Sequence, residues 1–155
     1  DLRFAADLSP LSQPATVGMF VKRVFGVEAS SAAISYARRN LEDAHLDNAT
    51  FEIARVGDWL MENSESHAPV DFLLLDPPRA GAEDGAIDGI LALKPRHISY
   101  VSCDPATLAR DLKGLIGGGY RLTSLAAFDM FPQTHHVETV AHLSLSNESK
   151  IELAE

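Results

Sequence analysis

Short apolar runs alternate with amphipathic segments along the chain from about residue 21 onwards. Apolar runs of strand length are found at residues 23–28, 50–54, 70–75, 97–102, 120–128 and 137–145. Segments with helical character lie between them, over residues 31–44, 58–63, about 87–91 and 105–116. This alternation predicts an α/β fold, in which a mostly parallel sheet is covered by helices on both faces.

The two ends of the chain differ from this alternation of strand and helix. The last two predicted strands are too close together for a helical connection, so we expect them to be antiparallel neighbours. Near the start, apolar residues alternate from Leu2 to Leu8, which predicts a strand ending at Asp7 in the central slot of a sheet of six or seven strands. Residues 147–155 are polar and form a C-terminal tail, which leaves residues 1–146 as one domain.

The balance of charged residues limits what this chain does by itself. It carries 13 Lys and Arg residues against 22 Asp and Glu residues, for a net charge of −9. Because nucleic-acid binding depends on basic side chains, either the substrate is not a polyanion or a basic portion outside this chain does most of the binding. No apolar run reaches the roughly 18 residues of a membrane helix. The single cysteine and the lack of a signal-like start favour a cytoplasmic location.

Candidate functional residues lie at the carboxyl ends of predicted strands, where open α/β sheets bind ligands. They are Glu28, Asp76, Cys103 and the stretch before Glu138. Glu28 carries the carboxylate that binds a ribose diol, or it is a solvated residue at a strand end. Asp76 is followed by two prolines, which fix the backbone and make a rigid lip beside an acidic group.

Cys103, the only thiol, falls at a strand-to-helix junction. Pro105 suits the first position of the helix that follows, and the helix dipole there favours the thiolate form. The negative charge of Asp104 opposes this effect. A single cysteine is by itself more often a small buried apolar residue than a nucleophile, so these residues alone leave both interpretations open.

Two adjacent histidines, His135 and His136, raise the question of a metal site. Neighbouring residues of an extended segment point to opposite faces, and the sequence has no CxxC or HxxxH motif that would complete a zinc site. We therefore predict no metal site. His45 and His67 lie in polar stretches, which is typical of surface residues.

Three long motifs identify a family when they are taken together. They are LLLDPPRAG at residues 73–81, YVSCDPATLARDL at residues 100–112 and DMFPQTHHVE at residues 129–138. In this order they resemble the signature blocks of the RNA 5-methyluridine (uracil-5-) methyltransferase family, and the resemblance extends over most of the chain. It implies a Rossmann-like class I S-adenosylmethionine-dependent methyltransferase fold, with residues 1–146 as the catalytic domain. It also implies S-adenosylmethionine as cofactor and a uridine of transfer or ribosomal RNA as substrate.

The resemblance implies a role for each of five residues. Cys103 corresponds to the nucleophile that adds to carbon 6 of uracil, and Glu138 to the base that removes the carbon 5 proton. Glu28 matches the family's ribose-binding acid, and Asp76 matches the acid that contacts the cofactor end of the site. Asp58 is the candidate for contact with adenine.

The chain departs from the family pattern at three points. Asp104 stands where the family has Asn. No glycine-rich loop follows the first strand, although glycine allows a backbone to approach a ligand closely. The family's amino-terminal RNA-binding portion is absent, which would explain the acidic charge. We therefore expect this chain alone to bind S-adenosylmethionine and RNA weakly.

Two other functions stay open at this point. An amino-directed nucleic-acid methyltransferase also has an acid or amide before two prolines, but an aromatic residue usually follows where this chain has Arg79, and such an enzyme has no use for Cys103. A catalytically silent α/β module that binds a partner or RNA would fit the missing glycine loop. Titration with S-adenosylmethionine distinguishes these hypotheses.

Overall fold

The computed structural model describes residues 22–129 and 137–146 in full, and the backbone of residues 3–7. These residues form seven strands and four helices. In chain order the elements are β1 (Arg3–Asp7), β2 (Arg23–Glu28), α1 (Ser31–Asp43), β3 (Ala49–Ile53), α2 (Val56–His67), β4 (Phe72–Leu75), α3 (Ala86–Leu93), β5 (His97–Ser102), α4 (Pro105–Gly117), β6 (Tyr120–Phe128) and β7 (Glu138–Leu145).

The strands form one sheet in the order β3-β2-β1-β4-β5-β7-β6. The strands β1 to β5 pair in parallel, whereas β7 pairs antiparallel with both β5 and β6. This confirms the predicted mostly parallel α/β sheet with an antiparallel last hairpin. Because β1 lies between β2 and β4, the strand expected near the start of the chain occupies the predicted central slot.

Capping residues explain where two of the helices begin. Ser30 precedes α1, and its hydroxyl accepts a hydrogen bond from Ala33 N at 3.3 Å. Asp104 caps α4 in the same way, and Pro105 occupies the first position of that helix. Both caps are residue types that satisfy the free N–H groups of a first turn.

Helices cover both faces of the sheet, and alternating strand residues show which helix packs on which face. In β4, Leu73 and Leu75 belong to the larger apolar cluster, whereas Phe72 and Leu74 pack against the smaller one. Neighbouring strand residues point to opposite faces, so the two clusters lie on opposite sides. The larger cluster contains residues of α2, α3 and α4, and the smaller one contains residues of α1.

The helix predicted over residues 58–63 is longer in the structure, where α2 extends from Val56 to His67. Its second half is rich in polar residues, which is why the sequence pattern ended the helix too early. Glu62 and Glu65 are exposed on this half while Ser64 is buried between them. A polar helix face of this kind resembles a loop when only hydrophobicity is considered.

His67, which the sequence predicts to be a surface residue, is only partly exposed in the structure. Its ring lies 5.2 Å from that of Phe25 and 4.8 Å from that of Trp59, measured between centroids. Offset and edge-on contacts at these distances are favourable for aromatic rings. The ring of His67 therefore packs against Trp59 of the larger apolar cluster and against Phe25.

Within the described part of the chain, none of the helices has both the length and the apolar character that a membrane crossing requires.

Candidate functional site

Four of the residues singled out in the sequence share one edge of the sheet. Glu28 is the last residue of β2, Asp76 follows β4 and Cys103 follows β5, and all three strands run parallel. Glu138 is the first residue of β7, which runs in the opposite direction. The start of β7 therefore lies at the same edge as the carboxyl ends of the parallel strands, where such folds bind ligands.

The pairing of β5 with β7 brings Cys103 next to Glu138. In this ladder Val101 is opposite Val140 and Ser102 is opposite Thr139. Cys103 comes directly after Ser102, and Glu138 comes directly before Thr139. The two residues therefore lie opposite each other at the end of the β5–β7 ladder. Both are partly buried.

The start of α4 fixes the backbone around Cys103. Ser102 Oγ donates a hydrogen bond to Asp104 O at 3.0 Å and accepts one from Asp104 N at 3.1 Å. Asp104 Oδ1 in turn accepts from Ala106 N at 2.8 Å and from Thr107 N at 3.2 Å. The backbone of Cys103 is therefore held between Ser102 and Asp104, which are bonded to each other, and Asp104 is also bonded to the helix.

This geometry also explains what Asp104 does in the place of the family's Asn. An asparagine side chain offers the same Oδ1 acceptor, and both residues rank among the best helix N-caps. The departure in sequence therefore keeps the capping bond and adds a negative charge at the N-cap of α4, where a helix dipole favours it.

The Asp76 carboxyl group lies at this edge in surroundings that raise its pKa. Burial raises its pKa above the ordinary value of 3.8, and the nearby charge of Glu138 raises it further, to about 6. A neighbouring negative charge has this effect only at short range. The charge of Glu138 therefore acts directly on the ionisation of Asp76.

A cavity of about 250 Å³ lies beside Glu28 at the same edge. Its lining residues are Glu28, Ala29, Val56, Leu75, Pro77, Pro78, Ala82, Glu83, Ala86 and Ile90. Most of these are apolar, and two are acidic, which is a mixture typical of small-molecule pockets. Glu28 Oε1 accepts a hydrogen bond from Ser30 N at 2.6 Å, which fixes the orientation of that carboxylate. Asp76, Cys103 and Glu138 are not among the lining residues.

Glu83 is a residue of this cavity that the sequence analysis missed. Its Oε2 accepts a hydrogen bond from Gly57 N at 3.0 Å, and its Oε1 lies 3.7 Å from Arg55 Nε. Gly57 has no room for a side chain, since a Cβ there would lie 2.8 Å from Asp84 O. Glu83 thus joins the loop after β4 to the start of α2. It falls in a loop 26 residues from its partner, where no local pattern could have indicated it.

Asp58 is exposed at the start of α2. Its side chain is 71% exposed, and Oδ2 lies 3.9 Å from Arg55 Nε. It is in the first turn of α2 but does not line the cavity. Contact of Asp58 with adenine therefore stays a prediction.

Two parts of the expected site lie outside the described residues. They are the segment after β1, where the family has its glycine-rich loop, and residues 130–136, which include His135 and His136. Over the residues that are described, no cluster of three or more His, Cys, Asp or Glu side chains is arranged to hold a metal ion.

Comparison with known proteins assigns the chain to a family. The family model of tRNA (uracil-5-)-methyltransferases matches residues 14–146. An uncharacterized RNA methyltransferase from Listeria innocua is 43% identical over 124 residues, which is 80% of this chain and 27% of the relative. One from Thermosynechococcus vestitus is 45% identical over 127 residues, or 81% of this chain and 28% of the relative. The chain thus spans little more than a quarter of the length of these relatives.

Solved structures agree with this assignment and with the fold. The Pyrococcus abyssi tRNA (uracil-54, C5)-methyltransferase in complex with S-adenosyl-L-homocysteine is 36% identical, with a TM-score of 0.70 over 92% of this chain and 34% of that one. An rRNA methylase from Streptococcus thermophilus has a TM-score of 0.73 over 95% of this chain and 88% of that one, at 12% identity, which bears on the fold alone. The fold is the Rossmann-like class I S-adenosylmethionine-dependent methyltransferase fold, and the chain belongs to the tRNA (uracil-5-)-methyltransferase family.

Proposed function

We propose that this chain is the catalytic domain of an S-adenosylmethionine-dependent RNA uracil-5-methyltransferase, with Cys103 as nucleophile and Glu138 as general base. Family membership supports the reaction class. The observation that carries the assignment of roles is the neighbouring position of Cys103 and Glu138 at the end of the β5–β7 ladder. A nucleophile and a base that act on adjacent carbon atoms of one ring must lie close to each other.

The proposed reaction uses the two residues in sequence. The Cys103 thiolate forms a bond to carbon 6 of uracil, and the electron pair of the 5,6 double bond makes carbon 5 nucleophilic. S-adenosylmethionine, when bound, would supply the methyl group that carbon 5 accepts, with the methyl–sulfur bond breaking to leave S-adenosylhomocysteine. Glu138 then takes the proton from carbon 5. The double bond re-forms, and the bond to the Cys103 sulfur breaks to release the thiolate.

The described cavity fits the adenosine part of the cofactor. Its apolar walls, which include Val56, Pro77 and Ile90, suit the faces of a purine. Glu28 would accept hydrogen bonds from the ribose hydroxyls through a carboxylate that Ser30 N already orients. Asp58, at the start of α2, is the proposed contact for adenine.

Asp76 is proposed to bind at the methionine end of the cofactor. At neutral pH it is mostly ionised, because its pKa of about 6 is lower than the pH. A carboxylate beside Glu138 attracts the positive charges of the sulfonium and the amino group. The same attraction would hold the cofactor methyl group near carbon 5.

The RNA substrate is proposed to be bound largely outside this chain. The net charge of −9 disfavours phosphate contacts, and the relatives are more than three times as long as the matched region. A uridine of transfer or ribosomal RNA is the proposed target. Weak binding of S-adenosylmethionine and RNA by the chain alone stays our expectation.

The test is methyl transfer by the whole protein. Radiolabelled S-adenosylmethionine and unmodified transfer or ribosomal RNA should yield 5-methyluridine after nuclease digestion, and Cys103→Ala should abolish the product. Glu42→Gln, at an exposed position of α1, is the control and should retain full activity. A product methylated on an exocyclic amine, or full activity of Cys103→Ala, would contradict the proposal and favour the amino-directed alternative.

A further inference from the structure

Asp111 is a buried carboxylate on α4 for which the proposed mechanism has no use. Its side chain is 4% exposed. Oδ2 accepts hydrogen bonds from Tyr100 Oη at 2.5 Å and from Ala82 N at 2.8 Å. Oδ1 accepts from Arg110 Nε at 2.9 Å and lies 2.9 Å from Arg110 Nη2. A buried charge is tolerated only when it is paired and hydrogen-bonded in this complete way.

Three residues of α4 hold the loop that follows Asp76 and its two prolines. Besides the bond from Ala82 N to Asp111, Arg110 Nη2 donates to Ala80 O at 3.1 Å. Thr107 Oγ1 donates to Arg79 O at 3.2 Å. Residues 79–82 are therefore bonded to one face of α4 at almost every position.

Gly81 lets this loop lie directly on the Arg110–Asp111 pair. A Cβ at Gly81 would be 2.5 Å from Arg110 Nη2 and 2.7 Å from Asp111 Oδ2. These distances are too short for any real carbon atom. The loop therefore lies in direct contact with the pair.

Helix α4 begins two residues after Cys103. The helix that follows the proposed nucleophile thus also fixes the loop that continues from Asp76. We propose that Asp111 is a positioning residue, which sets the location of the Asp76 loop relative to Cys103 together with Tyr100 and Arg110. This inference rests on the proposed function, because it assumes that Cys103 and a cofactor bound at Asp76 must be aligned for methyl transfer. A small misplacement of reacting groups is enough to slow such a step strongly.

The experiment compares two buried tyrosines in the whole protein. Tyr100 Oη donates to Asp111, whereas Tyr120 Oη donates to Pro95 O at 2.7 Å. Both residues are almost fully buried, so Tyr100→Phe and Tyr120→Phe each remove one buried hydroxyl. We expect Asp111→Asn and Tyr100→Phe to lower kcat by about tenfold or more, and by a larger factor than they raise KM for S-adenosylmethionine. Tyr120→Phe should leave kcat within about twofold of wild type, although it also removes a buried hydrogen bond and lowers the thermal midpoint.

A second measurement separates this inference from the proposed function. Hydrogen exchange of the Ala82 amide, followed in the whole protein without substrate, should be faster in Asp111→Asn and Tyr100→Phe and unchanged in Tyr120→Phe. If wild type methylates no uridine, the proposed function fails and amide exchange alone decides whether Asp111 holds the loop. Equal loss of kcat in the two tyrosine variants, or unchanged exchange at Ala82 in both test variants, overturns the positioning role. Should Asp111→Asn fail to fold, Tyr100→Phe carries the test by the same criteria.

Discussion

Asp76 and Glu138 interact electrostatically across the end of β5. Burial raises the pKa of Asp76, and the charge of Glu138 adds to this effect, so that the pKa reaches about 6. The two residues belong to the ends of β4 and β7, which flank β5 in the sheet. Cys103 follows β5, so the three candidate residues occupy three neighbouring strand ends in order. Carboxyl groups with raised pKa values are common where an enzyme concentrates charge for a reaction.

The raised pKa of Asp76 predicts a specific dependence of stability on pH. Because the pKa is about 6 in the folded protein and 3.8 ordinarily, the folded state holds the Asp76 proton more tightly than the unfolded chain does. The resulting contribution to stability is complete below about pH 3.8 and is lost as the pH rises through about 6. We therefore expect the free energy of unfolding of wild type, relative to Asp76→Asn, to fall between these two pH values.

Urea denaturation at several pH values measures this difference. Asp47→Asn, at an exposed aspartate, is the matched control for loss of a carboxyl group. Glu138→Gln should reduce the fall without removing it, since burial is the larger cause of the shift. A difference between wild type and Asp76→Asn that stays constant across this range would show that the Asp76 environment is not as described.

The sheet edge could be predicted from the sequence because it depends on strand ends. Apolar runs ended at Glu28 and just before Asp76 and Cys103, and parallel strands bring such ends together. The contacts of Glu83 and Asp111 could not be predicted, because they join residues that are far apart in the sequence. Glu83 is 26 positions from Gly57, and Asp111 is 29 positions from Ala82, and in both cases a helix packs against a loop. Hydrophobic periodicity reports which face of an element is buried, but not which polar group on a neighbouring element it meets.

The N-cap of α4 supports a prediction about the unusual Asp104. Asp104→Ala removes the acceptor for Ala106 N and Thr107 N, and we expect it to lower the free energy of unfolding by about 1 kcal/mol. Asp104→Asn keeps that acceptor and should cost less than half as much. The urea midpoints of the two variants provide the measurement. If the two substitutions were equally destabilising, the charge of Asp104 and not its capping bond would be what matters.

Gly81 and Gly117 are expected to respond in opposite ways to the same change. Gly81 has φ +84° and no room for a Cβ, so Gly81→Ala should lower the free energy of unfolding by about 2 kcal/mol or more. Gly117 ends α4, and a Cβ there would meet nothing within 4 Å. Gly117→Ala should be neutral or stabilise the protein by about 0.5 kcal/mol. Thermal denaturation of both variants checks the contrast, and similar values for the two would contradict the described seating of the loop on α4.

Glu138→Gln should trap the proposed covalent intermediate in the whole protein. The substitution leaves Cys103 free to add to carbon 6 and carbon 5 free to accept the methyl group. It removes the carboxylate that takes the carbon 5 proton, and the bond to sulfur cannot break by elimination until that proton has gone. A protein–RNA adduct should therefore accumulate, and denaturing gel electrophoresis with labelled RNA should detect it.

Two variants make this result specific to the proposed roles. Glu65→Gln changes an exposed glutamate of α2 and should turn over without accumulating an adduct. The double variant Cys103→Ala with Glu138→Gln should form no adduct, because the nucleophile is missing. Normal turnover by Glu138→Gln would show that another group takes the proton, while an adduct that persists without Cys103 would show that another residue attacks carbon 6. Direct action on adjacent carbon atoms is what requires Cys103 and Glu138 to lie close to each other at the end of the β5–β7 ladder. Either outcome would therefore remove the mechanistic reason for that arrangement.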